Sequence, residues 1–103
     1  IDTSTDAWPV GVGGKSNEGV TALIKQAAGT VGYVEYGYAA HNGLATASLQ
    51  NKSGSFIKPT PESGAATLAS VEIPANLRVW PDDPAGASDY PIVTFTWLLL
   101  SKK

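Results

Sequence analysis

Two motifs indicate how this chain folds: Gly-Val-Gly-Gly-Lys-Ser-Asn-Glu-Gly at residues 11–19 and Gly-Thr-Val-Gly-Tyr-Val-Glu-Tyr-Gly-Tyr-Ala at residues 29–39. Residues 8–12 predict a short strand that leads into the first glycine-rich turn. The second motif is rich in β-branched and aromatic residues, which predicts a strand over residues 30–36. With a helix between them, the two motifs predict a strand–turn–helix–strand unit.

The helix between the motifs has one apolar face. Asn17 is a suitable N-cap, because its side-chain oxygen can accept a hydrogen bond from a backbone N–H of the first turn. Gly29 stands where a helix of this length would end. The apolar residues follow the i, i+3, i+4, i+7 spacing of a helix: Val20, Leu23, Ile24 and Ala27.

The rest of the chain predicts short elements separated by turns. They are a helical turn over 37–42, a strand over 44–50, a turn at 51–54 with a returning hairpin arm at 55–58, a helix over 62–71 and a loop over 80–88. Residues 90–100 are apolar at both alternating sets of positions, which predicts a strand covered on both faces. Two interpretations of that strand are open. It is the central strand of a small sheet, or its natural neighbours lie in sequence that is not present here.

The composition excludes several classes of function. The chain has 103 residues, a net charge of −2 and no cluster of Lys and Arg, so nothing favours nucleic acid as a partner. It has no cysteine, and its single histidine, His41, has no acidic residue nearby, so we expect neither a metal site nor a cofactor. No apolar run approaches the roughly 20 residues that span a bilayer. The chain also lacks methionine and a signal peptide, so we expect a processed chain, an engineered one or a fragment.

The first glycine-rich turn fails both nucleotide-binding templates. A P-loop needs glycine five positions before Gly14, where the chain has Pro9, and a dinucleotide fingerprint needs glycine where it has Ser16. The turn still offers backbone N–H groups and the positive end of a helix dipole, and Lys15 adds charge. A weak anion site and a plain structural turn are therefore both open.

The acidic and hydroxyl side chains are not spaced in a pattern that predicts catalysis. Glu35 lies among aromatic residues, so it is either a cleft residue or a hydrogen-bonded structural acid. Asp82, Asp83 and Asp89 do not have the spacing of a calcium loop and are interpreted as a solvated turn. No serine has a recognisable base and no carboxylate pair is placed for acid–base chemistry, so we expect the chain not to be an enzyme.

Three stretches carry a family resemblance: residues 8–20, residues 32–39, and Tyr-Pro-Ile-Val-Thr-Phe-Thr-Trp at residues 90–97. In order and rough spacing the chain resembles the periplasmic phosphate-binding proteins of Pst-type ABC importers, from residue 8 to about residue 101. It departs from the family at Ser16, where the family usually has glycine, and at Trp97.

The resemblance implies an α/β fold. The chain would be a partial lobe of a periplasmic-binding-protein-like (type II) two-lobe fold, with a mixed sheet and flanking helices. It would correspond to the C-terminal half of the second lobe, as a fragment. Residues 1–7 would then be a linker, residues 8–89 part of the second lobe, and residues 90–103 a strand that returns toward the first lobe.

The resemblance also implies a function, which is extracytoplasmic binding of inorganic phosphate for ABC-transporter uptake. The partners would be phosphate, the ABC permease subunits and the missing N-terminal portion of the same protein. The location would be periplasmic or extracellular, with membrane association through the permease or through a lipid anchor outside this chain. Two alternatives stay open: a stand-alone structural or interaction module that reuses the half-lobe, and an enzyme on the same fold.

The family's phosphate ligands do not fall in this stretch. They come from a Thr-Phe loop, a Ser and an Asp of the first domain, and from an Arg-x-Asp-x-Ser-Gly-Thr motif, whereas the only arginine here is Arg78 in an unlike context. The chain is therefore expected to be a scaffold segment. Ligands of open α/β sheets bind beyond the carboxyl ends of the strands, which gives these candidates for the rim of the cleft: Gly14, Lys15, Ser16, Asn17, Glu35 and Tyr36.

Overall fold

The computed structural model describes residues 8–102, and the predicted linker at residues 1–7 lies outside the described residues. The described elements are α1 (Ser16–Gln26), α2 (Tyr36–His41), β1 (Leu49–Gln50), β2 (Phe56–Ile57) and α3 (Pro61–Ala69). The chain divides into two compact units, the first ending at Ala45 and the second beginning at Thr46. None of these helices has the length and apolar character that a membrane span requires.

The first unit contains α1 and α2, and the chain after α1 folds back onto the predicted apolar face. Gly29 has a φ of +80°, a left-handed conformation that glycine adopts without steric cost and that reverses the chain. Gly32 then packs on the helix so closely that a Cβ there would lie 2.9 Å from Cδ1 of Ile24 and 3.2 Å from Cγ1 of Val20. The predicted helix and its face are confirmed, although Ala27 falls just after the last helical residue.

Two predicted strands of the first unit are wrong. Residues 8–12 and 30–35 form no strand, and residue 36 already begins α2. A strand requires a neighbour for its backbone N–H and C=O groups, and no described segment pairs with either stretch. The predicted helical turn over residues 37–42 is confirmed by α2.

The second unit opens with the predicted hairpin. β1 pairs antiparallel with β2, with Leu49 opposite Ile57 and Gln50 opposite Phe56. The turn at residues 51–54 is closed by a 3.0 Å hydrogen bond from the Gly54 N–H to the Asn51 carbonyl. The hairpin is therefore confirmed, but the strand predicted over 44–50 is limited to its last two residues.

The helix α3 confirms the second predicted helix and begins one residue earlier than expected. Its start is a capping box: the Thr60 hydroxyl accepts from the Ser63 N–H at 3.1 Å, and the Ser63 hydroxyl accepts from the Thr60 N–H at 2.9 Å. Pro61 occupies the first helical position, where its missing N–H costs no hydrogen bond. Local sequence therefore fixes this boundary.

Asn51 joins the hairpin to a distant loop of the second unit. The residue is only 5% exposed. Its Nδ2 donates to the carbonyl oxygens of Gly86, Ala87 and Asp89 at 3.2, 3.1 and 3.2 Å. Its Oδ1 accepts from the backbone N–H of Ser55 at 3.0 Å. A single buried amide thus serves as a polar anchor for two segments of the chain.

Thr67 and Asp89 extend this polar core. Thr67 is fully buried, and its Oγ1 lies 3.1 Å from the Ser63 carbonyl oxygen and 3.0 Å from that of Tyr90. The Asp89 carboxylate accepts from the Gly86 N–H at 3.0 Å, and Asp89 is 3% exposed. The prediction that Asp89 belongs to a solvated turn is therefore wrong, because its carboxylate is satisfied inside the unit by a loop that folds around it.

The strand predicted over residues 90–100 is also wrong in the structure of the described residues. These residues form no regular element. The sheet of the described chain has two antiparallel strands, not the mixed sheet that the resemblance implies. The physical reason is the same as in the first unit: a strongly β-prone sequence forms a strand only against a partner, and none of the described segments supplies one.

Candidate functional site

The six predicted rim residues come from two segments that the structure brings together in the first unit. One segment, containing Gly14, Lys15, Ser16 and Asn17, leads into α1. The other, Glu35 and Tyr36, leads into α2. Asn17 joins them, because its Oδ1 accepts a hydrogen bond of 2.9 Å from the backbone N–H of Glu35. The starts of both helices therefore lie side by side.

Asn17 does not cap α1 as predicted. The helix begins at Ser16, Lys15 is its N-cap, and no side chain makes a capping hydrogen bond there. Asn17 is one residue inside the helix, where its amide is directed to the second segment. The predicted capping role is wrong because the Asn17 side-chain oxygen accepts from the more distant backbone N–H of Glu35.

The turn before α1 packs tightly on the helix that it opens. A Cβ on Gly14 would lie 2.8 Å from the Val20 nitrogen and 2.9 Å from the Gly19 carbonyl carbon. Those atoms are backbone and have little room to move. Glycine at position 14 is therefore required by the close approach of the turn to the helix.

Ser16 has a left-handed backbone with φ of +63°. That conformation favours glycine and costs other residues about 1–2 kcal/mol. The chain departs from the family pattern here, with serine in place of the usual glycine. The family pattern and the backbone geometry therefore both favour glycine at position 16.

Glu35 acts as the N-cap of α2. Its Oε1 accepts from the Gly37 N–H at 2.9 Å, which satisfies one of the unpaired donors of the first turn. The side chain is exposed, not buried among the aromatic residues. Of the two interpretations of Glu35, the hydrogen-bonded structural acid matches this contact.

Glu18 and Tyr38 form a contact that the sequence did not indicate. The Tyr38 hydroxyl donates to Glu18 Oε1 at 2.7 Å. This bond, followed by one from Ser16, lowers the pKa of Glu18 below its ordinary value. The same bond, followed by the carboxylate charge, raises the pKa of Tyr38. The two residues are 20 positions apart, so no local pattern could have revealed the pair.

A shallow groove of about 310 Å³ runs between the two helices. Several of its polar groups bond to one another: Lys25 Nζ donates to Asn42 Oδ1 at 3.4 Å, and Asn42 Nδ2 donates to the Tyr38 carbonyl at 2.8 Å. These hydrogen bonds therefore help to hold α1 and α2 together. The buried hydroxyl of Thr21 has no hydrogen-bond partner among the described residues. Its lining is Glu18, Thr21, Ala22, Lys25, Tyr38 and Asn42.

The charges around the helix starts do not favour an anion. Lys15 is positive, whereas Glu18 and Glu35 are negative, which gives this cluster one net negative charge at neutral pH. Glu18 lies in the first turn of α1. It already supplies the negative charge that a helix N-terminus attracts. The arrangement can hold two helices together, and it offers no surplus positive charge for direct binding of phosphate.

His41 lies at the exposed end of α2. Its Nδ1 is 2.7 Å from the Gly37 carbonyl oxygen, which makes Nδ1 the donor in this contact. Within residues 8–102, no three His, Asp or Glu side chains gather in a way that could hold a metal ion. The histidine therefore serves the local structure of a short helix.

No family model matches the chain. It is 43% identical over 97 residues to the phosphate-binding protein PstS of Pasteurella multocida, which covers 92% of this chain and 28% of that protein. It is 41% identical over 97 residues to PstS of Haemophilus influenzae, covering 92% and 29% respectively. It is 40% identical over 108 residues to PstS of Methanocaldococcus jannaschii, covering 97% and 28%.

These relatives define a class, the phosphate-binding proteins. Within that class the chain belongs, over nearly its whole length, to the PstS family, which confirms the resemblance stated from its motifs. The chain spans less than a third of the length of the relatives that it matches.

Proposed function

We propose that this chain is a segment of an extracytoplasmic phosphate-binding protein that delivers inorganic phosphate for uptake by an ABC transporter. The observation that carries the proposal is the 43% identity over 97 residues to 28% of a protein named for phosphate binding. The segment contributes scaffold and not the side chains that contact phosphate. The protein is a binding protein and not an enzyme.

The scaffold role has support from the residues themselves. The ligand motifs that the resemblance implies are absent from this stretch, and the only arginine, Arg78, is exposed in a loop. The candidate rim residues are engaged in structure: Asn17 holds the Glu35 N–H, and Glu35 caps α2. Side chains already committed to such contacts are suited to hold a cleft edge in place.

The cleft-rim assignment is retained as part of this proposal. Gly14, Lys15, Ser16, Asn17, Glu35 and Tyr36 lie at the starts of two neighbouring helices, where the backbone turns and two polar segments meet. Lys15 is exposed and is the one cation among the six. It would act at long range on an anion that other parts of the protein bind directly.

The proposal includes partners and a location. The partners are inorganic phosphate, the permease subunits of an ABC transporter, and the portion of the protein that this chain does not span. The location is periplasmic or extracellular, with any membrane attachment provided by the permease or by a lipid anchor outside this chain.

The test is calorimetric titration of phosphate, with sulfate as the control anion. Two samples are compared: the chain alone, and a chimera in which the chain replaces the matching segment of the Pasteurella multocida protein. We expect no measurable binding to the chain alone and phosphate-selective binding to the chimera. Tight, selective binding to the chain alone would overturn the scaffold role. A folded chimera that does not bind, beside an unmodified protein that does, would overturn the function.

A further inference from the structure

The end of α2 is closed by a Schellman motif, which favours glycine at position 43. The Gly43 N–H donates to the Ala40 carbonyl at 3.3 Å, and the Leu44 N–H donates to the Ala39 carbonyl at 2.9 Å. With Asn42 as the C-cap, these are the two hydrogen bonds that define the motif. Gly43 has a φ of +63°, the left-handed conformation that glycine adopts without steric cost. The end of the helix therefore favours glycine directly after Asn42.

The pair Asn42-Gly43 combines an exposed side-chain amide with an unhindered backbone nitrogen. Both residues are exposed. Gly43 has no side chain to shield its nitrogen, and even an added Cβ would have no atom within 4 Å. A bond between the Gly43 nitrogen and Asn42 Cγ would close a succinimide ring. The structure therefore places an electrophilic carbon beside a nucleophile that side chains do not cover.

The other asparagines of the chain, Asn17, Asn51 and Asn76, lack this combination. They precede glutamate, lysine and leucine, whose side chains crowd the following backbone nitrogen. Asn17 also lies within α1, where the helix fixes the backbone of the next residue. Asn51 is buried, and hydrogen bonds to several backbone groups hold its amide in place. Asn42 is therefore the asparagine whose amide is most open to attack by the following nitrogen.

Lys25 places a positive charge beside the amide oxygen of Asn42. Its Nζ donates to Asn42 Oδ1 at 3.4 Å. When a nitrogen attacks Asn42 Cγ, negative charge develops on Oδ1, and a nearby cation stabilises that charge. The 2.8 Å bond from Asn42 Nδ2 to the Tyr38 carbonyl must break before the amide can turn toward Gly43. Since α2 has six residues, and a helix this short opens readily, its last turn allows this movement.

We propose that Asn42 is a site of spontaneous deamidation, in which the Gly43 nitrogen is the nucleophile and Lys25 stabilises the charge that develops on Oδ1. The Gly43 nitrogen forms a bond to Asn42 Cγ and loses its proton to solvent. The bond between Cγ and Nδ2 breaks, and Nδ2 takes up a proton and leaves as ammonia. Water then adds to either carbonyl of the succinimide and opens the ring to aspartate or to isoaspartate. Solvent water is the only co-reactant, and nothing is oxidised or reduced.

The two products affect the end of α2 differently. Aspartate at position 42 keeps the main chain unchanged and faces the Lys25 ammonium, which adds an exposed ion pair between α1 and α2. Isoaspartate inserts a methylene group into the main chain before Gly43. Because the hydrogen bonds of Gly43 and Leu44 both span residue 42, that insertion breaks the Schellman motif. The modification is therefore a slow change in charge and in backbone at one helix end.

The test is storage of the purified chain at neutral pH and physiological temperature, followed by peptide mass spectrometry with fragmentation that separates aspartate from isoaspartate. We expect Asn42 to convert about tenfold faster than Asn17, Asn51 and Asn76, because glycine leaves the attacking nitrogen without a side chain. Both products should form at Asn42. In Gly43→Ala the conversion of Asn42 should be about fivefold slower, because a methyl group then shields the nitrogen.

The role of Lys25 is tested in the same way. Lys25→Gln should slow the conversion of Asn42 by about two- to fivefold, the effect of one exposed charge. The control is Lys58→Gln, which removes the same charge from an exposed residue of the second unit and should leave the rate unchanged. A rate in Lys25→Gln equal to or above that of the wild type overturns the role of Lys25.

Three results overturn the deamidation site itself. The first is conversion of Asn42 no faster than that of Asn76, since the glycine would then have no effect. The second is aspartate without isoaspartate, because a succinimide opens to both. The third is an unchanged rate in Gly43→Ala, which would exclude the Gly43 nitrogen as the nucleophile.

Discussion

Asn17 accepts a 2.9 Å hydrogen bond from the backbone N–H of Glu35 across 18 positions of sequence. Asn17 lies in the first turn of α1, and Glu35 is the N-cap of α2, so this bond sets the start of one helix beside the start of the other. Two of the three stretches that carry the family resemblance thus meet at one place, where the Asn17 side-chain amide bonds to the Glu35 backbone.

Replacing Tyr38 by Phe should change the pH dependence of the first unit at both ends of the scale. In the wild type the lowered pKa of Glu18 gives stability that is present above its unfolded pKa and is lost as pH falls through the folded value. The raised pKa of Tyr38 gives stability that is present below its unfolded pKa, about 10, and is lost as pH rises through the folded value.

The measurement is an NMR titration of the Glu18 carboxyl carbon. In Tyr38→Phe the pKa of Glu18 should rise toward its ordinary value, because the hydroxyl that donates to the carboxylate is gone. The control is Tyr33→Phe, since Tyr33 is 88% exposed. The prediction is contradicted when Glu18 titrates identically in the wild type and in Tyr38→Phe.

Replacing Ser16 by Gly should stabilise the chain relative to Ser16→Ala by about 1 kcal/mol. Both variants lose the hydroxyl that bonds to Glu18, so their difference isolates the Cβ at a residue with φ of +63°. The measurement is the free energy of unfolding from urea denaturation. Equal stabilities of the two variants would show that the left-handed backbone carries no cost here.

Replacing Gly14 by Ala should destabilise the chain by about 1–3 kcal/mol. The added Cβ would meet the backbone of α1 at 2.8 Å, so the turn or the helix must move. The control is Gly13→Ala, because a Cβ on Gly13 has no atom within 4 Å. The measurement is thermal unfolding of both variants. A loss of stability of similar size in Gly13→Ala and in Gly14→Ala would refute the packing argument.

Replacing Asn51 by Ala should cost about 3 kcal/mol, because it leaves buried backbone groups of two segments without partners. Asn51 is buried and holds the carbonyls of Gly86, Ala87 and Asp89. The control is Asn76→Ala. Asn76 is exposed, and its Oδ1 accepts only from the nearby Arg78 N–H at 3.0 Å.

The loss of stability in both asparagine variants is measured from the shift of the urea midpoint. Asn76→Ala should lose less than about 1 kcal/mol, the contribution of one exposed hydrogen bond. A loss for Asn51→Ala no larger than for Asn76→Ala would mean that the buried amide is not an anchor of the second unit.

Replacing Lys15 by Ala in the chimera should weaken phosphate binding by about two- to fivefold, the effect of one exposed charge near an anion. The salt dependence of binding should weaken with it, because an exposed charge is screened. The control is Lys52→Ala in the hairpin turn, which should leave affinity unchanged. Calorimetry at two salt concentrations measures both. Unchanged affinity and salt dependence for Lys15→Ala would remove Lys15 from the cleft rim.

Elements that depend on neighbours within a few positions could be predicted from the amino-acid sequence. The apolar spacing from Val20 to Ile24 predicted α1, and the structure places that face against Gly32. Residues 51–54 predicted the hairpin turn that joins β1 to β2. The motifs also predicted the family, because a family resemblance depends only on residue identities and their spacing along the chain.

Contacts between groups that are distant in sequence are seen only in the folded protein. The bonds between Glu18 and Tyr38, between Asn17 and Glu35, and between Asn51 and the loop that carries Asp89 join residues 18 to 38 positions apart. No local pattern encodes such pairs, since each side chain could equally bond to nearer groups or to water. The predicted strands failed for the same reason. A helix satisfies its backbone within itself, whereas a strand exists only when another segment accepts and donates its hydrogen bonds.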